Sequence, residues 1–217
     1  MRFGYPVSLD VAGRRCVVVG GGPLAAQKAD GLLAAGAQVV AIAARPSPGL
    51  REAAAAGRIE LVARCFRAGD LAGVFLAIAT GEDPVSNIEV AAEARRERVL
   101  FNALDDVVHC DFAAAAVVRR GELRLAVSTG GKAPALARRL REQLEVRFGD
   151  EWGQLVEVLD GARRACLPRT VTFSEWQRRW ATALRDPQRL AERLAAGDRE
   201  SVRDGVLRVM RTGSGPS

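Results

Sequence analysis

The sequence predicts an α/β fold with a parallel sheet, followed by a small α+β segment and a helical C-terminal region. Three observations lead to this prediction. Short apolar runs alternate with helical patterns over about the first 110 residues, which is typical of βαβ units. A run of glycines joins the first apolar run to the first helical pattern. Beyond that region the alternation stops, and a hairpin pattern precedes charged helical sequence.

Five strands are expected in the first region, and each is a nearly continuous apolar run of the kind found in sheets covered on both faces. The strands are expected at Arg15–Val19, Gln38–Ala43, Ile59–Ala63, Val74–Ala79 and Val99–Asn102. The helices between them are expected at residues 23–35, 50–56 and 84–98. We therefore expect residues 1–110 to form the first domain.

The next region has a different pattern. Two apolar runs, Phe112–Val118 and Leu123–Ser128, predict a β-hairpin that turns at Arg119–Gly121. A helix is expected from Ala135 to about Phe148. We expect this region, residues 111–149, to be a separate dimerisation and substrate segment.

The last region is charged and helical in pattern. Helical sequence is expected over residues 150–210, with an interruption at Pro168, and the tail Thr212–Ser217 is expected to be disordered. We therefore expect residues 150–217 to form a helical C-terminal domain.

Composition argues against several classes of function. The net charge of +6 comes largely from arginines at helical spacing, and one Tyr and three Trp are few for stacking on bases, so we expect no nucleic-acid partner. The arginines are either solvated helix faces or attract a polyanionic small substrate. No uncharged apolar stretch reaches about 18 residues, and the N-terminus lacks a secretory pattern, so we expect no membrane association and a cytoplasmic location. No Cys or His cluster predicts a metal site.

The glycine run fits the dinucleotide-binding pattern G-x-G-x-x-A. Gly20 permits a tight turn, Gly22 lets the backbone approach a pyrophosphate, and Ala25 allows close packing of the helix on the strand. Pro23 suits the first helical turn, and the helix N-terminus offers free N–H groups to phosphates. The pattern therefore predicts a Rossmann-type nucleotide site; the alternative is a glycine turn that binds nothing.

The end of the second strand lacks the acidic residue that binds a ribose diol in many such sites. The strand runs into Ala43 and Arg45, and no acid follows until Glu52. Arg45 either favours a 2′-phosphate or is a solvated loop residue. At this point both NAD and NADP remain open.

Two acids follow the fifth strand, where open α/β sheets line their ligand crevice. Asp105 is a candidate general base if its surroundings or the neighbouring Asp106 raise its pKa, and otherwise these acids cap the next segment or face solvent. His109, the only histidine, is four residues beyond Asp105. It is either a proton carrier or metal ligand in the same pocket, or a structural residue.

A second glycine loop joins the hairpin to the next helix. It contains hydroxyl groups, backbone N–H groups and a lysine that can bind carboxylates, and it consists of Ser128, Thr129, Gly130, Gly131 and Lys132, followed by Ala133 and Pro134. The alternative is a helix cap by Ser128 or Thr129.

Together these motifs resemble the precorrin-2 dehydrogenase family, which includes the N-terminal half of bifunctional siroheme synthases. The resemblance covers residues 1 to about 150 and rests on Val19–Gly22, Ala26–Ala29, Ala77–Thr80, Asn102–Asp105 and Val127–Arg138. The Ser-Thr-Gly-Gly segment with its following Pro and Leu-Ala-Arg is the most specific part.

The resemblance implies an NAD-dependent oxidation of precorrin-2 to sirohydrochlorin in siroheme synthesis. It maps the family's essential aspartate onto Asp105, as general base. It implies cofactor contacts at Gly20, Gly22, Pro23, Leu24, Ala43 and Thr80, and substrate contacts at Ser128, Thr129, Gly130, Gly131 and Lys132. It also implies a homodimer in which the segment after the nucleotide domain is exchanged between subunits.

The chain departs from the family pattern at two points. Ala113–Ala116 run unbroken where the family often has a proline, and Ala133 replaces the serine usual before Pro134. Some family members also insert ferrous iron; the sequence leaves that step open, and likewise the choice between siroheme and cobalamin routes. An NAD-sensing regulatory module without catalysis is the main alternative, and Asp105→Ala would hardly affect such a sensor.

Overall fold

The structure, a computed structural model, describes residues 3–81, 87–104, 106–166 and 171–213. The chain separates into two compact units, Met1–Ala114 and Ala115–Ser217. The predicted division into three domains stays a prediction, since these units do not separate residues 111–149 from the helices that follow.

The first unit contains a five-stranded parallel sheet with the strand order β3-β2-β1-β4-β5. Its strands are β1 (Arg15–Val19), β2 (Gln38–Ile42), β3 (Glu60–Val62), β4 (Leu76–Ala79) and β5 (Leu100–Ala103). The chain moves outward from β1 in one direction through β2 and β3, and in the other through β4 and β5. Such a reversal beside β1 creates a crevice at the carboxyl ends of the strands, where ligands bind in doubly wound folds. The predicted α/β fold is confirmed.

The sheet is buried on both faces. Alternate residues of a strand face opposite sides of the sheet, and in β1 both sets lie in apolar clusters. In β1, Val17 and Val19 belong to one core cluster, whereas Cys16 and Val18 belong to the other. All four are at most 2% exposed. This two-sided burial is why the central strands read as continuous apolar runs.

Three helices accompany the sheet: α1 (Pro23–Leu33), α2 (Pro48–Ala55) and α3 (Asn87–Glu97). Helix α1 ends earlier than expected because the chain turns through Ala34 and Ala35 to Gly36, which has a φ of +79°. Helix α2 begins earlier than expected because Pro48 occupies its first turn, where no N–H is needed. Residues 84–86 of the third predicted helix lie outside the described residues.

The second unit begins with a β-hairpin of β6 (Ala116–Arg120) and β7 (Leu123–Val127), followed by helix α4 (Pro134–Arg147). The predicted turn at Arg119–Gly121 was wrong, because Arg119 and Arg120 pair within β6. The turn is the two-residue Gly121-Glu122, in which Gly121 has the positive φ, +53°, that tight hairpin turns favour.

The rest of the second unit is helical. Over residues 150–166 and 171–213, which the structure describes, the predicted helical stretch contains four helices: α5 (Glu151–Ala165), α6 (Phe173–Ala183), α7 (Pro187–Ala195) and α8 (Arg199–Thr212). Two buried clusters lie among these helices: one consists of Leu155, Val158, Leu194 and Val202, and the other of Ala162, Val206 and Met210. The tail was expected to be disordered from Thr212 onward, which was wrong for Thr212, because this residue ends α8. The rest of the tail from residue 214, and the predicted interruption at Pro168, lie outside the described residues. Within the described ranges, no helix combines the length and the apolar character needed to span a membrane.

Candidate functional site

The predicted glycine turn lies at the carboxyl end of β1. Gly20 has a φ of +137°, a conformation that side chains rarely allow, and its N–H donates to the Ile42 carbonyl at 2.9 Å. Gly22 is the extended N-cap of α1, and Pro23 begins that helix. The first turn of α1 carries no acidic residue, so its positive end is available to an anion.

Gly21, which the sequence pattern left without a role, is the tightest position of this turn. A Cβ atom there would lie 2.9 Å from the carbonyl carbon of Arg45, closer still to its oxygen, and 3.4 Å from the Cβ of Ala43. The turn therefore packs directly on the backbone that follows β2. The signal in the sequence was the unbroken run of three glycines, because the motif itself requires only the outer two.

The segment after β2 completes this edge of the site. Ala43 is fully buried and donates its N–H to Val62, so its side chain packs beneath the turn, and its predicted contact with a cofactor stays a prediction. Ala44 and Arg45 are exposed. The Ser47 N–H donates to the Gly21 carbonyl at 2.7 Å, whereas the Ser47 hydroxyl oxygen is buried without a hydrogen-bond partner among the described residues.

The other side of the turn is formed by the end of β4. Thr80 is 6% exposed, and its N–H donates to the Val19 carbonyl at 2.9 Å. Its hydroxyl group also donates to that carbonyl, at 3.4 Å. Leu24 is 44% exposed in the first turn of α1. The structure thus brings Gly20, Gly22, Pro23, Leu24 and Thr80 together at the crevice between β1 and β4.

The segment after β5 is held against the sheet by side-chain hydrogen bonds. Asn102 donates through its amide group to the Phe112 carbonyl at 2.8 Å, and Asp111 accepts from the Phe101 N–H at 3.0 Å. The buried Cys110 sulfur accepts from the Ala103 N–H at 3.1 Å. Asp105, the predicted base, lies outside the described residues.

His109 pairs with Asp106. Its Nδ1 lies 2.8 and 2.7 Å from the two carboxylate oxygens of Asp106, and both side chains are about three-quarters buried. The sequence suggested His109 as a partner in the pocket of Asp105 but did not indicate this pair. The spacing of three residues was the available signal, because Val107–His109 form one turn of 3₁₀ helix, which brings residues i and i+3 together.

An ion pair stabilises the loop after β3. The Arg64 guanidinium binds both oxygens of Asp70, at 2.7 and 2.8 Å, and this contact lowers the pKa of the Asp70 carboxyl group. Farther along, the buried carboxylate of Glu93 accepts the N–H groups of Gly69 and Leu71 at 2.9 and 3.0 Å. These contacts tie the connection between β3 and β4 to helix α3.

The second predicted loop lies in the second unit, between β7 and α4. Its fold is local: Ser128 accepts the Gly130 N–H at 3.2 Å, and Thr129 accepts the Ala133 N–H at 3.1 Å. Gly130 and Gly131 both have positive φ, +61° and +80°. Lys132 is exposed, and its side chain forms no hydrogen bond or ion pair with the described part of the chain.

Two features leave this loop able to bind carboxylates. Helix α4 begins without a side-chain cap and without an acid in its first turn, so its N-terminal N–H groups are not neutralised. The Lys132 ammonium adds a cation beside them. As for metals, the described residues contain no group of three or more His, Cys, Asp or Glu side chains suited to binding an ion.

Comparison with known proteins gives matches over both units. A family model described as "Putative NAD(P)-binding" matches residues 7–116, and a second, described as "Sirohaem biosynthesis protein central", matches residues 120–147. Siroheme synthase 1 of Serratia proteamaculans (strain 568) is 40% identical over 175 residues, which are 81% of this chain and 37% of that protein. Siroheme synthase of Neisseria meningitidis serogroup B (strain ATCC BAA-335 / MC58) is 36% identical over 223 aligned positions, 98% of this chain and 46% of that protein.

One solved structure shares the fold over nearly the whole chain. It is "SirC, precorrin-2 dehydrogenase", with a TM-score of 0.64, 24% identity, and coverage of 95% of this chain and 98% of that one. The siroheme synthases are longer, and this chain spans less than half of their length.

Proposed function

The chain belongs to the family described as "Putative NAD(P)-binding", and from this membership and its match to the sirohaem biosynthesis central model we propose that it oxidises precorrin-2 to sirohydrochlorin with NAD as the hydride acceptor. The observation that carries the proposal is the glycine turn packed on the end of β2, beside the strand-order reversal of the sheet. A siroheme family match on residues 120–147, directly after the nucleotide domain, supports the choice of a tetrapyrrole substrate.

The first unit fits a dinucleotide. The close approach of Gly21 to Arg45 leaves no room for a side chain in the turn, and Gly22 exposes backbone at the positive end of α1. We assign the pyrophosphate to Gly20, Gly22, Pro23 and Leu24, and the neighbouring edge to Thr80. When bound, NAD supplies an acceptor for two electrons and one proton, transferred as a hydride.

The reaction also requires a base. Forming the new double bond removes two hydrogens from the macrocycle, one as the hydride and one as a proton. We assign the role of proton acceptor to Asp105. This residue directly follows Leu104, whose N–H donates to the Ala79 carbonyl at the end of β4. The carboxylate of Asp106 is already engaged by His109, which favours Asp105 over Asp106.

The second unit is assigned to the substrate. Precorrin-2 is a polycarboxylate, and the Ser128–Lys132 loop offers hydroxyl groups, backbone N–H groups and an exposed ammonium group. Arg138 and Arg139 on α4 add positive charge, although each forms an ion pair with Glu142. We assign the contacts with substrate carboxylates to Ser128, Thr129, Gly130, Gly131 and Lys132.

A second copy of the chain is the proposed protein partner. Leu136 and Leu140, one helical turn apart on α4, are 52% and 39% exposed, and Val146 on the same helix is 89% exposed. Exposed apolar side chains on one helix support a homodimer through this segment, which light scattering of the eluted protein would test. The cytoplasmic location stays a prediction.

The test of the proposal is anaerobic absorbance spectroscopy with enzymatically made precorrin-2 and NAD. We expect the sirohydrochlorin spectrum to appear with the wild-type chain and with Asp106→Asn, whose amide oxygen can still accept from His109. We expect it to be lost with Asp105→Asn, which keeps the size of the side chain but removes the base. Nucleotide binding without any turnover by the wild-type chain would contradict the proposal and favour an NAD sensor.

A further inference from the structure

The segment Arg45–Arg51, between β2 and the first turn of α2, forms the edge of the glycine turn on the side away from β4. Two contacts hold it there: Gly21 packs on the Arg45 carbonyl group, and the Ser47 N–H donates to Gly21. In doubly wound folds the residues at this position face the adenosine ribose of the dinucleotide. Its chemistry therefore bears on which ribose substituent the site accepts.

A carboxylate at this position is the usual discriminator, because it binds the two ribose hydroxyl groups and repels a 2′-phosphate. The structure describes residues 43–51 throughout, and none of them is acidic. The first turn of α2 has no acid either; the next acid, Glu52, is exposed within the helix. The ordinary means of excluding NADP is therefore missing from this segment.

Positive charge takes the place of the missing acid. Arg45 is exposed, and its guanidinium group makes no hydrogen bond or ion pair with the described residues. Arg51 folds back on the segment, because its guanidinium group donates to the Pro46 carbonyl at 2.6 Å. Two guanidinium groups thus belong to a segment of seven residues that runs into the first turn of α2, and guanidinium is the side-chain group best suited to phosphate oxygens.

Ser47 provides an independent observation. It is the N-cap residue of α2, yet its hydroxyl group forms no capping bond, and its oxygen is buried without a hydrogen-bond partner in the part of the chain that the structure describes. Leaving a buried hydroxyl unsatisfied is unfavourable, by about 1–3 kcal/mol. Rotation of this side chain toward the start of α2 would let the hydroxyl group donate to a ligand oxygen there, beside the free N–H groups of the first helical turn.

We propose that Arg45 and Ser47 form a subsite for a 2′-phosphate group, so that this chain binds NADP at least as tightly as NAD. The inference rests on the proposed function only in placing a dinucleotide at the glycine turn. It goes beyond that function by assigning a specificity determinant to residues outside the glycine motif.

The test is isothermal titration calorimetry of the full chain with NAD and with NADP, for the wild type, Arg45→Gln and Arg95→Gln. Losing one charge-assisted phosphate contact should weaken NADP binding by about tenfold or more. We expect Arg45→Gln to show this loss while its affinity for NAD changes by less than about twofold. Arg95 is exposed on α3, outside this segment. Arg95→Gln removes the same charge and should leave both affinities unchanged.

Ser47→Ala separates a ligand role from a structural one. Because the hydroxyl group has no partner among the described residues, its removal should leave the thermal midpoint unchanged or slightly raised, while NADP binding weakens several-fold. A lowered midpoint with unchanged NADP affinity would overturn the role of Ser47, because a structural cap behaves in that way.

Two outcomes distinguish this inference from the proposed function. Binding of NAD, with precorrin-2 oxidation but without NADP binding, overturns the inference alone. Failure of both nucleotides to bind overturns the proposed function as well. An equal loss of NAD and NADP affinity in Arg45→Gln also overturns the inference, since it shows that Arg45 acts on the shared part of the cofactor.

Discussion

Replacing Gly21 with alanine should disrupt the nucleotide site through a single steric contact. The added Cβ would lie 2.9 Å from the Arg45 carbonyl carbon, whereas ordinary carbon–carbon contacts are about 3.5–4.0 Å, so the backbone must move by at least about 0.5 Å. Overpacking of this kind costs about 1–3 kcal/mol. The shift also strains the hydrogen bond from Ser47 to Gly21, worth about 1 kcal/mol more. We therefore expect a loss of about 2–4 kcal/mol in unfolding free energy.

The assay is urea denaturation of Gly21→Ala, combined with calorimetric titration of NAD. Gly31→Ala is the matched control, because a Cβ at this position within α1 meets no atom within 4 Å. Alanine is a better helix former than glycine, so this control should gain about 0.5–1 kcal/mol and retain nucleotide affinity. Wild-type stability and wild-type NAD affinity in Gly21→Ala would refute the close packing of the turn on the end of β2.

Two further predictions concern the contacts that support the sheet. Glu93→Ala leaves two backbone N–H groups without an acceptor, so urea denaturation should show a loss of about 2–5 kcal/mol in unfolding free energy. Glu93→Gln keeps an acceptor and should lose less. Equal losses in the two variants would show that these hydrogen bonds do not stabilise the fold. Asp70→Asn should lower stability at neutral pH, because Arg64 holds the pKa of the Asp70 carboxyl group below its ordinary value. A lowered folded-state pKa means that the stabilisation is present above the ordinary aspartate pKa of about 3.9 and is lost as the pH falls through the folded value, so the wild type and Asp70→Asn should converge in acid. A constant difference across pH would show that Asp70 acts through packing instead.

The sheet could be predicted from sequence because each strand is buried on both faces. The prediction of β1 was confirmed to the residue, and the other strands differ mainly at their ends. Strand ends depend on hydrogen bonds rather than on apolar runs. At β5, for example, Arg98 adopts a φ of +57° and Val99 bonds back to Ala94, which delays the strand by one residue.

The hairpin and the C-terminal helices were harder to predict. Apolar alternation does not show whether Arg120 is the last residue of the strand or the first of the turn. In the structure Arg120 pairs with Leu123, and the positive φ of Gly121 begins the turn after it. The helical boundaries depend on caps that use single polar atoms, such as the Asp186 oxygen that accepts the Arg189 N–H at 3.0 Å.

The conformation of the glycine turn could be predicted because its cause is local. The turn requires Gly20 and Gly22 within a few residues. The packing of Gly21 on Arg45, the unsatisfied hydroxyl group of Ser47 and the pairing of Asp106 with His109 depend on tertiary neighbours. The predicted relationship to siroheme synthases is confirmed by matches over both units.

The proposed transfer of hydride from precorrin-2 to a nicotinamide cofactor can be tested by stoichiometry. The measurement is an anaerobic reaction with limiting precorrin-2, in which reduced nicotinamide and sirohydrochlorin are quantified from the same spectra. We expect both products to grow together in equal amounts and neither to form with Asp105→Asn. Sirohydrochlorin formed without reduced nicotinamide, or a cofactor that binds and stays oxidised while precorrin-2 persists, would contradict it.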